Sequence, residues 1–268
     1  MYPCLAHLYG PLWIRSYGLM IAIGFLVFLF LTYRHPLRKK NIDGDTYLNT
    51  VFIGLVSGVA GGRLLFVWTA WEQFSHNWIE ILYPWVGGFV VLGSILGVLL
   101  VAPLYLLAHR VRILPVLDLA GLYAALMQAI ARFGCFFAGC CYGMPVKTAL
   151  PWAVTFTNPE GFAPLLVPLH PTQLYMSAAS FAIFIFIRFV LYNPKLKTGV
   201  LFFSYLSLDS IARFAVDFWR GDRDTLVDVI EVQGKLLQLS QVQIYVLYFF
   251  VISLVGLILV SLQRTSKE

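Results

Sequence analysis

The run SYGLMIAIGFLVFLFLTY, residues 16–33, decides the fold class, because it contains no charged side chain. About 20 apolar residues form a helix long enough to cross the hydrocarbon core of a bilayer. Similar runs follow along the chain, which is 60% hydrophobic and 12% charged, with a mean hydropathy of +0.80. A soluble domain carries about 25% charged residues. The sequence therefore predicts an integral membrane protein, neither soluble nor disordered.

The apolar runs predict an all-α integral membrane protein with seven transmembrane helices. The runs are residues 16–33, 47–71, 81–108, 113–133, 173–192, 199–219 and 239–263. Residues 1–268 are therefore predicted to form a single seven-span membrane domain, with a longer outer segment at about 134–172. Glycines in the second and third runs favour close packing of those two helices, because lipid provides no hydrophobic drive for helix association.

The basic charge of the loops predicts the orientation of the chain. Lysine and arginine are concentrated in alternate connections: Arg34, Arg38, Lys39, Lys40, Arg110, Arg112, Lys195, Lys197, Arg264 and Lys267. Because basic loops stay on the cytoplasmic side, the N-terminus is expected outside and the C-terminus in the cytoplasm. The net charge of +6 is then explained by topology and anionic lipid, so no nucleic-acid partner is expected.

Charged side chains inside the apolar runs are candidates for function, since each costs a few kcal/mol in lipid unless it is paired or hydrated. Arg188 and Asp118 lie near predicted cytoplasmic ends and are expected to reach the interface. Arg63, Arg132 and Arg213 fall in the predicted outer half of the membrane. Charges recur along one helix face at intervals of four, four and three residues: Asp209, Arg213, Asp217 and Arg220. An ion-pair ladder would explain this face, but the surplus of arginine also suits an anion such as a lipid phosphodiester.

Seven segments carry distinctive patterns in the following order: WIRSYGLMIAIGF (13–25), GGRLLFV (61–67), VGGFVVLGSILG (86–97), ARFGCFFAGCCYG (131–143), LHPTQLY (169–175), ARFAVDFWRGD (212–222) and Ser240 to Gln243. Together they resemble the prolipoprotein diacylglyceryl transferase family over nearly the whole chain. The resemblance implies a multi-pass enzyme of the bacterial cell (inner) membrane. Such an enzyme transfers diacylglycerol from phosphatidylglycerol to the thiol of a lipobox cysteine in a prolipoprotein and releases glycerol phosphate. Its partners would be phosphatidylglycerol, the prolipoprotein and membrane lipid, with no cofactor.

The resemblance also implies roles for individual residues. Arg213, Asp217 and His170 match family positions implicated in catalysis. A second set would bind the substrate phosphate: Arg132, Arg63, Arg220, Tyr17 and Gly143. Arginine suits a phosphate because its planar guanidinium binds phosphate oxygens in pairs and stays charged when partly desolvated.

The chain departs from the family pattern at the position of a possible proton acceptor. The family has a histidine in the third span where this chain has Leu92. The acceptor thiol could then lose its proton to His170, to Asp217 or to the departing phosphate. Three further replacements, of an asparagine and two glutamates, are Cys135, Cys140 and Met176.

Three cysteines, Cys135, Cys140 and Cys141, allow more than one interpretation. Three thiolates with His170 would make a tetrahedral metal set, and the oxidising outer side would permit a disulfide. The spacing has no CxxC pattern, and adjacent cysteines do not ordinarily turn towards one ion. Packing as small hydrophobic residues is therefore expected, and no metal site is predicted.

Two other functions stay open at this point. A divergent family member could bind phospholipid, or catalyse a different reaction of a lipid head group, without the full set of family residues. An anion or lipid transporter is a further alternative. Transporters commonly contain inverted repeats, and the sequence has no such internal symmetry.

Overall fold

The chain is mostly helical in the computed structural model, which describes residues 2–9, 12–74, 78–82, 88–147, 150–223, 226–232 and 235–262. Parts of several predictions lie outside the described residues. They are residues 83–87 of the third apolar run, residues 148 and 149 of the longer outer segment, Gln263 of the last run, and the basic residues Arg264 and Lys267.

The α-helices of the described residues follow in chain order: α1 (Ser16–Arg34), α2 (Pro36–Asn41), α3 (Gly44–Thr69), α4 (Trp71–Phe74), α5 (Val91–Ala108), α6 (Ile113–Ala138), α7 (Thr172–Ile185), α8 (Val200–Asp217) and α9 (Gln241–Leu262). A π-helical stretch, Phe186–Leu191, continues α7, and a 3-10 helix covers Trp78–Leu82. Each predicted run thus contains one long helix. The predicted start of the third helix at residue 81 is wrong, because α5 begins only at Val91.

Among the described residues, five helices are long and apolar enough to cross a membrane: Ser16–Arg34, Gly44–Thr69, Ile113–Ala138, Thr172–Leu191 and Gln241–Leu262. A shorter apolar helix covers Leu92–Ala108. The chain is therefore a multi-pass membrane protein. The seven crossings and the orientation of the termini stay predictions.

Three two-stranded sheets, which the all-α prediction missed, lie outside the helices, one before α1 and two in the connections between later helices. Their strands are β1 (Cys4–Tyr9) with β2 (Leu12–Arg15), β3 (Val154–Thr155) with β4 (Pro168–Leu169), and β5 (Leu226–Val232) with β6 (Lys235–Ser240). The β3–β4 and β5–β6 pairs are antiparallel. A search for long apolar runs does not detect such strands, because they are short and fall in the connections.

The chain divides into two compact units. The first comprises Met1–Tyr9, Trp13–Thr32 and Leu117–Glu268, and the second comprises Gly10–Leu12 and Tyr33–Val116. In the second unit α3 packs so closely on α5 that a Cβ atom at Gly61 would collide with the carbonyl oxygen of Gly93. This contact confirms the predicted tight packing of the second and third long helices. The prediction of a single membrane domain stays a prediction.

Polar contacts join the helices of the first unit. The Ser177 hydroxyl donates to the Ala129 carbonyl at 2.8 Å, which links α7 to α6, and a hydrogen bond of 2.8 Å between Ser207 and Ser253 links α8 to α9. Asp118 of α6 is 5% exposed and accepts hydrogen bonds from two backbone N–H groups at the start of α8. The expectation that Asp118 reaches the interface is therefore wrong. Its carboxylate satisfies backbone donors that no residue within α8 could satisfy.

Candidate active site

A small cavity in the first unit contains four of the predicted site residues. It has a volume of about 20 Å³, enough for one water-sized group. Its lining residues are Arg132, Cys141, Thr172, Gln173, Met176, Arg213, Val216, Asp217 and Arg220. The spacing of charges along one helix face and the family resemblance predicted that residues distant in sequence belong to one site. Three arginines and one acid do line this one cavity. Their roles stay predictions.

Backbone contacts fix the position of Arg220 beside the cavity. Gly143 and Arg220 form an antiparallel bridge, and the Gly221 N–H donates to the Tyr142 carbonyl at 2.9 Å. A Cβ atom at residue 143 would collide with the carbonyl oxygen of His170. Only glycine fits there, so the contribution of Gly143 to the site is a close backbone approach.

The acids near the cavity are bound to other partners. Asp217 is 2% exposed, accepts a hydrogen bond of 2.6 Å from the Ser240 hydroxyl, and lies 3.4 Å from the Arg223 guanidinium. Asp209 accepts a hydrogen bond of 2.9 Å from the Gln128 amide. Among the described residues no salt bridge joins two charges of this helix face, but Asp209 and Arg213 interact electrostatically, so the ion-pair ladder stays an alternative.

The arginines differ in how well their charge is balanced. Arg220 makes two hydrogen bonds to Asp222, at 2.9 and 2.8 Å, and this contact raises the pKa of its guanidinium. Among the described residues, neither Arg132 nor Arg213 makes a hydrogen bond or a salt bridge. Asp209 interacts with both guanidinium groups electrostatically but is not salt-bridged to either. Two guanidinium groups without a salt bridge at a half-buried cavity can bind an anion.

Asp217 is held in place by the first turn of α9. Ser240 and Gln243 cap that helix reciprocally: the Gln243 N–H donates to the Ser240 hydroxyl at 3.1 Å, and the Ser240 N–H donates to the Gln243 side chain at 3.0 Å. The same Ser240 hydroxyl donates to Asp217, and Gln243 also accepts from Arg223 at 2.8 Å. Helix capping and the position of the acid therefore depend on the same two side chains.

Gln173 is a candidate functional residue that the sequence analysis did not select. It is 1% exposed, and its amide nitrogen donates to the Cys140 carbonyl at 2.8 Å. Its amide oxygen has no hydrogen-bond partner in the described part of the chain. Since Gln173 lines the arginine cavity, this oxygen can accept a hydrogen bond from a bound hydroxyl group. The amide at the start of an otherwise apolar run was the available signal.

Two predicted residues of the first unit are absent from the described lining of this cavity. His170 is absent from the described lining, and its Nδ1 atom is 3.2 Å from the Tyr175 hydroxyl, which also accepts from Trp152 at 2.8 Å. Tyr17 lines a second cavity of about 490 Å³, together with Arg15 and other residues: Pro3, Cys4, Trp13, Ala138, Cys140, Glu160 and Phe162.

Arg63 belongs to the second unit, where it contacts backbone carbonyl groups. Its Nε donates to the Ile81 carbonyl at 3.1 Å, and its Nη1 donates to the Gly88 carbonyl at 3.2 Å. Its guanidinium also lies over the rings of Phe66 and Phe74, 5.6 and 5.3 Å from their centres. These contacts hold the segment before α5 against α3, and the predicted phosphate role of Arg63 stays a prediction.

The thiols of Cys135, Cys140 and Cys141 converge, with their sulfur atoms all within 4.8 Å of one another. All three cysteines are free. The backbone of Cys141 is not ordinary, since it is left-handed with φ of 55°. The expectation that adjacent cysteines do not easily bind one ion in ordinary geometry stays a prediction. Hydrogen bonds from the other two thiols, together with the charges of Arg220 and Arg132, lower the pKa of Cys141.

The fold and the cavity define a membrane protein with a cationic cavity at the ends of several long helices. The chain belongs to the prolipoprotein diacylglyceryl transferase family, whose model matches residues 3–259. This result confirms the resemblance that the sequence indicated.

Named relatives cover most or all of the chain. A phosphatidylglycerol–prolipoprotein diacylglyceryl transferase of Clostridium tetani is 35% identical over 269 residues, which is 100% of this chain and 100% of the relative. The transferase 2 of Clostridium perfringens is 32% identical over 218 residues, covering 81% of this chain and 83% of the relative. The Dehalococcoides mccartyi transferase is 32% identical over 225 residues, 84% of each chain.

Proposed function

We propose that this protein transfers diacylglycerol from phosphatidylglycerol to the thiol of a lipobox cysteine in a prolipoprotein. The observation that carries the proposal is the pair Arg132 and Arg213, which line one cavity and form no salt bridge or hydrogen bond among the described residues. A phosphodiester oxygen would fill the small volume between them and balance their charge. Family membership and the names of the relatives support the same reaction.

In the proposed reaction the sulfur of the lipobox cysteine forms a bond to the carbon of the diacylglycerol unit that carries the phosphate in phosphatidylglycerol. The bond between that carbon and the phosphate oxygen breaks, and its electron pair leaves with glycerol phosphate. Arg132 and Arg213 stabilise the negative charge that develops on the leaving phosphate. Gln173 accepts a hydrogen bond from a hydroxyl group of the lipid head group, which fits its unsatisfied amide oxygen.

The thiol of the lipobox cysteine must give its proton to a base, because the thiolate is the nucleophile. Asp217 lines the arginine cavity, whereas His170 contacts Tyr175 outside the described lining. Asp217 is therefore the better candidate of the two for taking the proton, directly or through the departing phosphate. Ser240 and Arg223 would hold its carboxylate in position.

The larger of the two cavities suits the second substrate, the lipobox segment of the prolipoprotein. A transferase with two substrates needs space for both near the reacting atoms. Cys140 lines the larger cavity and Cys141 lines the arginine cavity, so the two spaces approach each other at this pair of residues. The lipobox segment would enter through the cavity of about 490 Å³, and the lipid phosphate would occupy the smaller one.

We also infer seven crossings of the inner membrane, with the N-terminus outside and the C-terminus in the cytoplasm. The basic loops support this orientation. Besides the five long apolar helices, α5 and α8 would cross, the latter with its charged residues turned towards the cavity. The site then lies in the outer leaflet, where both lipid-linked substrates are accessible.

A second candidate function is phospholipid binding without transfer, in a divergent family member. Met176 lines the arginine cavity where the family resemblance implies a glutamate, and Leu92 replaces the family histidine. These positions favour a phosphate site that has lost acid or base groups.

The experiment that separates the two functions uses the purified protein in phosphatidylglycerol vesicles labelled in the head-group glycerol. A synthetic peptide with a lipobox cysteine is the acceptor, and a peptide with serine at that position is the control. Transfer predicts water-soluble labelled glycerol phosphate only with the cysteine peptide. If phosphatidylglycerol binds but no label is released with either peptide, the binding function replaces the transferase.

A further inference from the structure

The three cysteines at the end of α6 form a geometry that neither the family nor the proposed reaction explains. We propose that Cys135, Cys140 and Cys141 form a binding site for one thiophilic divalent metal ion of the zinc class. The proposal is independent of the transfer reaction, and its test needs no enzymatic activity.

The end of α6 brings the first two cysteines together. Gly139 is in the left-handed region, with φ of 75°, and its N–H donates to the Phe136 carbonyl at 3.3 Å. The Cys140 N–H donates to the Cys135 carbonyl at 3.1 Å. This pair of hydrogen bonds is a Schellman motif, which folds the chain back over the last turn of its helix. Cys140 is thereby placed over Cys135.

The third cysteine is positioned by a strained residue. Cys141 has φ of 55°, a conformation that residues other than glycine and asparagine seldom adopt. In an extended chain, neighbouring side chains would point to opposite faces, whereas here the sulfur atoms of Cys140 and Cys141 both lie within 4.8 Å of Cys135. The strain of this backbone therefore serves to make three thiols converge.

Neighbouring side chains hold this backbone in place. The Thr172 hydroxyl donates to the Cys141 carbonyl at 2.7 Å, and the Gln173 amide donates to the Cys140 carbonyl at 2.8 Å. Thr172 and Gln173 are 2% and 1% exposed, so water does not compete for these hydrogen bonds. Hydrogen bonds from outside the ligand set that fix the orientation of ligands are typical of metal sites.

The distances between the three sulfur atoms would suit one ion if the sulfur atoms moved slightly closer together. Zinc–sulfur bonds are about 2.3 Å long, so two thiolates on one tetrahedral ion lie about 3.8 Å apart. The three sulfur atoms are already within 4.8 Å of one another, and Cys140 and Cys141 are only half-buried. Three protein ligands leave the fourth tetrahedral position for water.

Cationic side chains lie beside the cluster. Cys141 lines the same cavity as Arg132 and Arg220. Metal binding would release the thiol protons, as it does in other thiolate sites. Three thiolates around a divalent ion leave one negative charge, which these arginines offset.

The test measures metal binding by the purified full-length protein, reduced under argon and titrated with Co²⁺ as a spectroscopic probe. We expect one equivalent of Co²⁺ to produce a thiolate-to-cobalt charge-transfer band, and Zn²⁺ to displace it, because thiolate ligands select zinc. Cys141→Ser should weaken binding by at least about 10-fold. Cys4→Ser is the matched control and should bind as the wild type does, because Cys4 lies outside the cluster.

A second measurement keeps the proposal testable if the serine variants do not fold. In the wild type, bound Zn²⁺ should protect Cys135, Cys140 and Cys141 from alkylation by N-ethylmaleimide, mapped by peptide mass spectrometry, with Cys4 modified equally in both samples. Absence of stoichiometric Co²⁺ binding would overturn the proposal, and so would equal binding by Cys141→Ser.

Discussion

At the scale of single residues, the site depends on which charges have partners and which do not. Asp217 is held by Ser240 and Arg223, while Arg213 lines the cavity without a salt bridge or hydrogen bond among the described residues. A guanidinium without a salt bridge is costly in a membrane, so its presence at a cavity favours a role in binding an anionic substrate.

Arg213→Lys should reduce transfer by about 10²-fold or more, because lysine keeps the charge but cannot bind two phosphate oxygens with one planar group. The measurement is the rate of glycerol phosphate release at saturating peptide. Arg188→Lys is the control and should retain nearly full activity, since Arg188 lies over the rings of Phe189 and Tyr192 in the π-helical end of α7. Comparable rates in both variants would exclude Arg213 from the phosphate site.

Asp217→Asn should lower the transfer rate by about 10² to 10⁴, the range associated with loss of a general base, whereas His170→Gln should have a smaller effect. The reason is that Asp217 lines the arginine cavity and His170 contacts Tyr175 instead. Rates measured from pH 5 to 9 test this assignment. A larger loss of rate in His170→Gln than in Asp217→Asn would assign the proton to His170.

These residues show how much of the site could be predicted from the sequence. Arg132 and Arg213 were selected because charges inside apolar runs need a reason, and Arg220 because of its spacing from Arg213 and Asp217. All three arginines do line one cavity. The partners of Asp217 were not predicted, because they depend on where the start of α9 packs against α8. The convergence of the cysteines was missed for a local reason, the left-handed backbone of Cys141.

At the scale of elements, close helix packing depends on glycine. In the second unit a Cβ atom at Gly61 would collide with the backbone of α5, whereas one at Gly54 on the same helix would lie 4.0 Å from the Val98 side chain. The backbones of α3 and α5 approach each other at only part of their length, and that part admits no side chain.

Gly61→Ala should therefore destabilise the protein by about 1–3 kcal/mol, the usual cost of overpacking, while Gly54→Ala should leave its stability nearly unchanged. The measurement is the midpoint of thermal unfolding of each variant in the same detergent. Equal midpoints for the two variants would mean that α3 and α5 do not pack as closely as this structure describes.

Apolar runs predicted the positions of the long helices well, because a membrane helix satisfies all of its own backbone hydrogen bonds. They did not predict the start of α5 at Val91 or the β5–β6 sheet. Those features depend on contacts between segments, such as the hydrogen bond of 3.2 Å from the Val90 N–H to the Gly62 carbonyl.

At the scale of the whole molecule, the proposed transfer reaction requires that both substrates reach one site from the outer leaflet. The arginine cavity is built from the end of α6, the start of α7 and the end of α8. These helix ends belong on the outer side if the basic loops are cytoplasmic. Orientation and function are therefore linked.

Reporter fusions test the seven crossings. A green fluorescent protein fused after Arg112 should fluoresce, because α5 returns the chain to the cytoplasm, and alkaline phosphatase fused after Arg223 should be active outside. At each fusion position the other reporter should be inactive. The reverse pattern after Arg112 would mean that α5 does not cross, and the reverse pattern after Arg223 would mean that α8 does not.

The most direct test of the central claim is the mass of the acceptor peptide after reaction with phosphatidylglycerol of defined acyl chains. The account predicts that the lipobox peptide gains one diacylglycerol less one water, attached as a thioether at its cysteine, with one glycerol phosphate released per modified peptide. The gain should be absent with the serine peptide and strongly reduced with Arg213→Lys. An unmodified cysteine peptide after prolonged incubation with the folded wild-type protein would contradict the account.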